Sequence, residues 1–214
     1  MGLVRVHNFA ISLDGYGTGE DQSLQAPFGH AGMRLMEWFK VTRTFRAMLG
    51  EPGGARGVDE AFASQWGPRI GAEIMGRNKF GPQRGPWTDD GWRGWWGENP
   101  PFHTPVFVLT HHPRAPMVME GGTTFHFVDA TPHEALQLAR EAAGGLDVRV
   151  GGGPTVVRDF LAAGLVDLLH VVVTPIVLGR GVRLWDGLEG FESAYEVESV
   201  ATPAGHTHLT FTRR

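Results

Sequence analysis

Short apolar runs and amphipathic stretches alternate along most of the chain, and they predict strands and helices in turn. Segment 3–11 alternates as a half-buried strand does, with Val4, Val6, Asn8 and Ala10 on one face. The predicted strands are 3–11, 72–76, 106–110, 125–128, 147–150, 168–177, 195–200 and 207–212. The last two flank a Pro-Ala-Gly turn, which predicts that they form an antiparallel pair.

Apolar side chains that recur at helical spacing predict the helices. One continuous stripe between residues 30 and 49 predicts a single long helix. Asp59 is the expected N-cap of a shorter helix, and Thr131 is the expected N-cap of a later one whose first turn holds Pro132. The predicted helices are 30–49, 59–66, 132–143 and 154–163.

The order of these elements predicts the fold class. Strands alternate with helices until the closing pair, which is typical of an α/β domain with three layers and a mostly parallel sheet that has an antiparallel C-terminal edge. We expect one domain over residues 1–214, with an irregular tryptophan-rich loop at 81–101. In such sheets ligands bind beyond the carboxyl ends of the strands, so the chemistry is expected at strand-to-helix turns.

Composition removes several classes of protein. A net charge of −4 over 214 residues argues against a nucleic-acid platform, and the absence of cysteine excludes disulfides, thiolate metal sites and a cysteine nucleophile. The N-terminal segment lacks a signal-peptide core, and the most apolar run, 171–178, is far shorter than the ~20 residues of a membrane span. We therefore expect a cytoplasmic protein that binds neither membranes nor nucleic acid.

Glycine is over-represented, and its most informative cluster is Gly151-Gly152-Gly153. An apolar strand ends in these residues and a helix follows at once. Free N–H groups at a helix start favour an anion, and glycines let a pyrophosphate approach closely. The spacing is not GxGxxG, since Val156 stands at the third glycine position, and no Gly-Lys-Ser/Thr follows. A tight turn without a ligand is an equally good interpretation.

Two further strand ends carry polar residues. Arg77 follows the strand at 72–76, and Thr110 and His111 follow the strand at 106–110. Each of these residues alone is more often a surface group than a ligand contact. Together with the glycine turn they offer sites for a pyrophosphate and a separate 2′-phosphate, which is the charge pattern of NADPH. Neighbouring histidines on an extended chain point in opposite directions, so we expect no metal site.

The sequence resembles the dihydrofolate reductase-like superfamily, and most closely the branch that contains the reductase domain of the riboflavin-biosynthesis deaminase/reductase. The matching pieces are SLDGY at 12–16, MGRNKF at 75–80, VFVLTHHPR at 106–114 and the run that begins VRVGGGPTVV at 148–181. They follow the family order and span residues 3 to 187. The resemblance implies a sheet of about eight strands and a bound NADPH.

The same resemblance implies which residues hold the cofactor. Those at the adenosine 2′-phosphate would be Gly76, Arg77, Leu109, Thr110 and His111. Those at the pyrophosphate would be Gly152, Gly153, Pro154, Thr155 and Val156. Those at the nicotinamide would be Ala10, Ile11, Gly15 and Tyr16.

The substrate side has fewer signals. Reduction of a C=N bond needs a hydride and a proton, and a carboxyl group with a raised pKa could deliver the proton. Asp14 and Glu37 are the candidates, although Asp14 could instead be a turn residue and Glu37 a solvated charge. Trp38 and Trp92 are candidates for stacking on a flat substrate.

The tryptophan-rich loop has two interpretations. Its rings could wall a heterocycle, with Arg93 or Asp89 setting the orientation, or they could pack on the core or form a subunit contact. The leading hypothesis is an NADPH-dependent reductase of a pteridine, pyrimidine or similar flat nitrogen heterocycle. The alternatives are a non-catalytic nucleotide-binding protein of the same fold and a variant that uses FMN. We also expect a homodimer, because edge strands are commonly paired or covered.

Overall fold

The computed structural model describes residues 2–65, 67–88 and 91–214. The strands are β1 Val4–Ser12, β2 Tyr16–Thr18, β3 Ile70–Gly76, β4 Pro105–Leu109, β5 Arg114–Val118, β6 Thr124–Val128, β7 Asp147–Gly152, β8 Leu168–Thr174, β9 Val182–Arg183, β10 Tyr195–Ala201 and β11 Thr207–Arg213. The α-helices are α1 Glu37–Lys40, α2 Arg43–Met48, α3 Val58–Ala63, α4 Arg77–Phe80, α5 Pro132–Ala143 and α6 Pro154–Ala162. Short 3₁₀ turns occur at Gly29–Ala31, Arg34–Met36, Glu120–Gly122 and Phe191–Ala194.

In the described residues, nine strands form one sheet in the order β10-β11-β8-β1-β7-β3-β4-β6-β5, and β2 pairs separately with β9. The six strands from β8 to β6 run parallel, while β11, β10 and β5 run antiparallel to their neighbours. The predicted α/β class, mostly parallel sheet and C-terminal antiparallel pair are confirmed. Strand β5 was missed because it is short, mostly exposed and interrupted by Pro116.

The main core lies on one face of the sheet beneath α5 and α6. Helix α5 begins where it was predicted, because Thr131 and Glu134 form a reciprocal capping box. Apolar residues that point to this face of β1, β3, β7 and β8 pack against the two helices. Helix α5 therefore follows from its cap and apolar stripe, and α6 follows from its apolar stripe.

The long helix predicted for 30–49 is wrong. The chain instead forms a series of short turns and helices, because Gly32 adopts a left-handed φ of 55° and Thr42 has an extended ψ of 156°. The Thr42 side chain accepts a hydrogen bond from the Phe45 N–H and so starts α2 anew. The apolar stripe was real, since Leu35 and Phe39 are both buried, but it spans several elements.

The predicted N-cap of the next helix is also wrong. Gly57 is the N-cap of α3, and Asp59 lies in its first turn, where its carboxylate accepts a hydrogen bond from His208 Nε2 at 2.8 Å. The predicted end at Trp66 lies outside the described residues. A partner distant in sequence thus explains Asp59, which no local pattern could reveal.

A bulge in β1 changes the predicted faces of this strand. Asn8 has a φ of 56°, and the pairing of β1 with β8 slips there by one residue. Val4, Val6 and Ile11 consequently face the main core, whereas Ala10 faces the other side of the sheet. The alternation that was predicted over 3–11 therefore fails after Asn8.

A buried histidine pair holds this bulge. His170 Nδ1 accepts the Asn8 N–H at 3.1 Å, so the proton of neutral His170 sits on Nε2, which lies 3.0 Å from His208 Nδ1. Burial, with the nearby His7 and His208, lowers the pKa of His170 to about 2. The pair is therefore neutral at physiological pH, and it connects Asp59 to the backbone of β1.

Candidate functional site

A cleft of about 1840 Å³ lies on the second face of the sheet. Apolar side chains cover both ends of this face: Trp38 and Phe39 lie over β1 and β8, and the tryptophan-rich loop lies over β4 and β6. Between them, β1, β3 and β7 present the polar side chains of His7, Glu73 and Arg149 to this face, and the cleft opens there. The carboxyl ends of the parallel strands meet at this place, as expected for such a sheet.

The glycine turn at the end of β7 forms one wall of the cleft. A Cβ at Gly151 would lie 2.5 Å from Lys79 Nζ and would displace the end of that side chain, and Gly152 has a φ of 110°, which favours glycine. Gly153, by contrast, faces open space with no atom within 4 Å of an added Cβ. The turn is therefore tight at two positions and open toward the cleft at the third.

Helix α6 begins at this open position. Gly153 is its N-cap, and the Val157 N–H makes the first helical hydrogen bond, to Gly153 O at 3.1 Å. The N–H groups of Thr155 and Val156 precede this bond, and Pro154 has none. The positive end of this nine-residue helix and its two free amides thus lie beside Gly153, which has no side chain.

Arg77, Thr110 and His111 line the same cleft. Arg77 Nη1 donates to Thr110 Oγ1 at 3.4 Å, while Nε and Nη2 are buried without an acceptor among the described residues. Burial, and then the nearby Arg84, lowers the Arg77 pKa. Unsatisfied guanidinium donors in a cleft fit an anionic ligand.

Close packing brings the end of β3 against helix α6, which follows β7. Gly76 lies against α6, where an added Cβ would be 2.8 Å from Val156 Cγ2. Leu109 also lines the cleft, and the exposed His111 has its Nδ1 3.1 Å from Asp129 Oδ1. The structure therefore brings the predicted 2′-phosphate residues and, except for Gly152, the predicted pyrophosphate residues to one cavity.

The cleft floor carries charges that the sequence analysis missed. Lys79 Nζ donates to Gly151 O at 2.6 Å, and Arg149 pairs with Glu73 at 3.1 Å. Burial, with the charge of Arg149, lowers the Lys79 pKa to about 7 despite the opposing effect of Glu73. The sequence did contain a signal for these missed charges, because Glu73 and Arg149 are charged residues at strand positions whose side chains point inward.

The predicted nicotinamide residues separate. Ala10 lines the cleft, but Ile11 faces the main core and is 2% exposed, as the bulge in β1 dictates. Gly15 lies in the turn before β2 and Tyr16 is the first residue of β2; neither is among the lining residues, whereas Gly17 is. The Tyr16 hydroxyl instead donates to Gly179 O at 3.3 Å.

Asp14 serves a turn rather than the cleft. Its carboxylate accepts hydrogen bonds from Ser12 Oγ at 2.6 Å and from the N–H groups of Leu178 and Gly179. Desolvation raises the Asp14 pKa, but these hydrogen bonds outweigh it and lower the pKa to about 2. The structure therefore places the Asp14 carboxylate in a turn and not among the residues that line the cleft, where the sequence analysis expected a proton donor.

Glu37 and Trp38 also lie away from the cleft. The Glu37 side chain is 58% exposed and pairs with Lys40 at 3.2 Å, which is the solvated-charge alternative. Trp38 is 1% exposed and packs edge-on against His208 at 5.5 Å. The assignment of Trp38 to the substrate is therefore wrong, because the core already encloses its ring.

The tryptophan-rich loop divides between core and cleft. Trp92 Nε1 donates to Phe80 O at 3.1 Å, and its ring packs on the core rather than lining the cleft, which corrects its assignment to the substrate. Trp95 and Trp96 do line the cleft. Asp89 lies outside the described residues.

The described part of the chain contains no group of three or more His, Asp or Glu side chains arranged to hold a metal ion. It also contains no helix with the length and apolar character needed to cross a bilayer.

Comparison with known proteins places this geometry in a family. The model of the RibD C-terminal domain matches residues 5–209. A structure described as a putative riboflavin biosynthesis protein from Shewanella sp. PV-4 is 23% identical, with a TM-score of 0.58 and coverage of 100% of this chain and 99% of that chain. A pyrimidine reductase-like protein from Corynebacterium diphtheriae is 14% identical, with a TM-score of 0.55 and coverage of 100% and 92%.

Dihydrofolate reductase from Enterococcus faecalis, complexed with NADP(H), is 16% identical, with a TM-score of 0.50 and coverage of 100% and 96%. No curated protein matches the sequence. At these identities the solved structures show the fold, which is dihydrofolate reductase-like, and the family model spans nearly the whole chain. The protein belongs to the RibD C-terminal domain family.

Proposed function

We propose that this protein is an NADPH-dependent reductase that transfers a hydride to a flat nitrogen heterocycle. The observation that carries the proposal is the meeting of the open glycine turn at Gly153 with Arg77 in one cleft. The names of the similar structures support it, since they include a pyrimidine reductase-like protein and a dihydrofolate reductase complexed with NADP(H).

The cleft fits NADPH in shape and charge. Gly153 leaves room for a pyrophosphate beside the Thr155 and Val156 amides, and Arg77 and Thr110 offer donors to the 2′-phosphate. NADPH, when bound, supplies the hydride. The residues of this chain hold the cofactor, and the bulge at Asn8 turns Phe9 and Ala10 toward the cleft.

The proton must come from another group than the two carboxylates predicted from the sequence. Lys79 lies on the floor beside Glu73 and Arg149, and its pKa of about 7 lets it hold a proton and release it near neutral pH. The rings of Trp95, Trp96 and Phe39 line the cleft and give a flat heterocycle apolar walls. We assign Lys79 the role of proton donor.

A second candidate is a non-catalytic nucleotide-binding protein of the same fold. The observation that favours it is the position of Asp14 and Glu37 outside the cleft. It predicts cofactor binding without turnover of any heterocycle, whereas the reductase predicts turnover. A yellow protein as purified would instead support a variant that uses FMN.

The test is an absorbance assay that follows oxidation of NADPH with dihydrofolate, riboflavin precursors and quinonoid compounds. We expect oxidation with at least one compound and much less with NADH. Arg77→Ala should weaken NADPH more than NADH, while Arg93→Ala is the matched control, since Arg93 pairs with Glu98 outside the cleft. Binding of neither nucleotide to the wild type would overturn the proposal.

A further inference from the structure

Trp87, in the tryptophan-rich loop, contacts two guanidinium groups. Arg77 Cζ lies 3.7 Å from the centre of the Trp87 ring, and Arg114 Cζ lies 3.9 Å from it. Two guanidinium groups cannot occupy the same space so close to one ring. They therefore lie on opposite faces of the indole, which separates the two positive charges.

Three contacts fix the position of the Trp87 ring. Its Nε1 donates to His112 O at 2.6 Å, just beyond the end of β4. Its edges meet Phe80 and Phe127 in T-shaped contacts, with centroid distances of 6.0 and 5.2 Å. The ring is not among the residues that line the cleft, but Arg77 and His112, which it contacts, both are.

The ring limits where the Arg77 guanidinium can be. An arginine side chain has about 2 kcal/mol of rotamer entropy to lose when it binds an anion, and stacking on an indole removes part of that freedom beforehand. The stacked Arg77 reaches Thr110 with Nη1, while Nε and Nη2 lack acceptors in the described part of the chain. The guanidinium is thus held beside Thr110, with two donors that no described residue satisfies.

We propose that Trp87 is a positioning residue for cofactor selection, which holds Arg77 at the cleft so that a 2′-phosphate is bound in preference to a 2′-hydroxyl. The inference rests on the proposed use of NADPH. It assigns a function to a tryptophan that touches neither cofactor nor substrate. It also explains why this tryptophan packs between Arg77 and Arg114 rather than lining the cleft beside Trp95.

The test measures the binding of 2′,5′-ADP and of AMP by calorimetry, because these probes differ only in the 2′-phosphate. Trp87→Ala should lower the ratio of the two affinities by about 5- to 30-fold, the range expected for a partly desolvated cation–π contact. Trp87→Phe, which keeps an aromatic face, should retain most of the ratio. Trp92→Ala is the matched control, because Trp92 lies in the same loop and also bonds a backbone carbonyl.

Thermal unfolding of each variant shows whether it is folded. If Trp87→Ala does not fold, Trp87→Leu carries the test, since it fills space without an aromatic face. An unchanged ratio in a folded Ala or Leu variant, or an equal loss in Trp92→Ala, would overturn the inference. If the wild type binds 2′,5′-ADP no better than AMP, the proposed cofactor itself is wrong. If the wild type prefers 2′,5′-ADP and the folded Trp87→Ala and Trp87→Leu variants keep that preference, the inference alone fails.

Discussion

Lys79 gives the sharpest test of the chemistry assigned to the cleft floor. Its pKa falls from the ordinary 10.5 to about 7, first because of burial and then because of Arg149. At about 1.4 kcal/mol per pH unit, this corresponds to at most roughly 5 kcal/mol against the charged form, and less where water reaches the partly exposed side chain. We therefore predict that Lys79 loses its proton near neutral pH.

The chain has two lysines, which makes the measurement direct. With ¹³C-labelled lysine, the NMR spectrum should show two ε-carbon signals, and Lys79→Arg removes one of them. The Lys79 signal should titrate with a midpoint near pH 7, and NADP⁺ should move that midpoint upward because an anion favours the charged form. Lys40, on α1 and outside the cleft, is the internal control, and NADP⁺ should leave its signal in place.

The lowered pKa of Lys79 also makes the stability of the protein depend on pH in a definite direction. Because the folded-state pKa lies below the unfolded value, the unfolded chain binds the extra proton between pH 10.5 and about 7. Stability should fall as the pH drops through that window, and Lys79→Met should remove that part of the slope. A Lys79 midpoint near 10.5, or a stability curve that Lys79→Met leaves unchanged, would refute the reasoning about the floor.

Gly153→Val should weaken the binding of NADPH and of NADH alike by about tenfold or more, because the valine side chain would enter the open space beside the pyrophosphate amides. The thermal midpoint should not change. Unchanged affinities in a fluorescence titration would contradict this prediction. Burial, then Arg5 and Arg149, lowers the pKa of His7 to about 3. Lowering the pH from 7 to 5 should therefore cost about 2 kcal/mol of unfolding free energy through His7, and His7→Gln should remove that loss. If urea denaturation shows an equal loss in His7→Gln, the pKa assigned to His7 is contradicted. Asp14→Asn should lower the thermal midpoint but leave NADPH affinity unchanged, and a weaker cofactor would return Asp14 to the site. Light scattering tests the predicted homodimer, for which the exposed edge strand β10 is available, and a monomer at high concentration would contradict it.

The sequence predicts those parts of the fold that depend on local signals. Helix α5 has its Thr131 cap and its apolar stripe, and the closing β10–β11 pair has its turn, so both lie where expected. The single long helix fails because a left-handed glycine at position 32 and an extended Thr42 interrupt the backbone, and a stripe of apolar residues does not report backbone angles.

In the candidate site, too, some residues could be predicted from the sequence and others could not. Gly153 and Arg77 could be found because strand ends in an α/β sheet converge on one edge. Lys79 could not, because its environment comes from Gly151 and Arg149, seventy or more residues away in sequence. Asp14 was chosen as an acid, and only the positions of its three donors show that it is a turn residue.

The most direct test of the central claim is a fluorescence titration of the wild-type protein with NADPH and, separately, with NADH. The account predicts saturable binding of both and an affinity for NADPH that is higher by about tenfold or more, since Arg77 and Thr110 add charge-assisted hydrogen bonds to the 2′-phosphate. Equal affinities would contradict the assigned phosphate site. Binding of neither nucleotide would contradict the account as a whole.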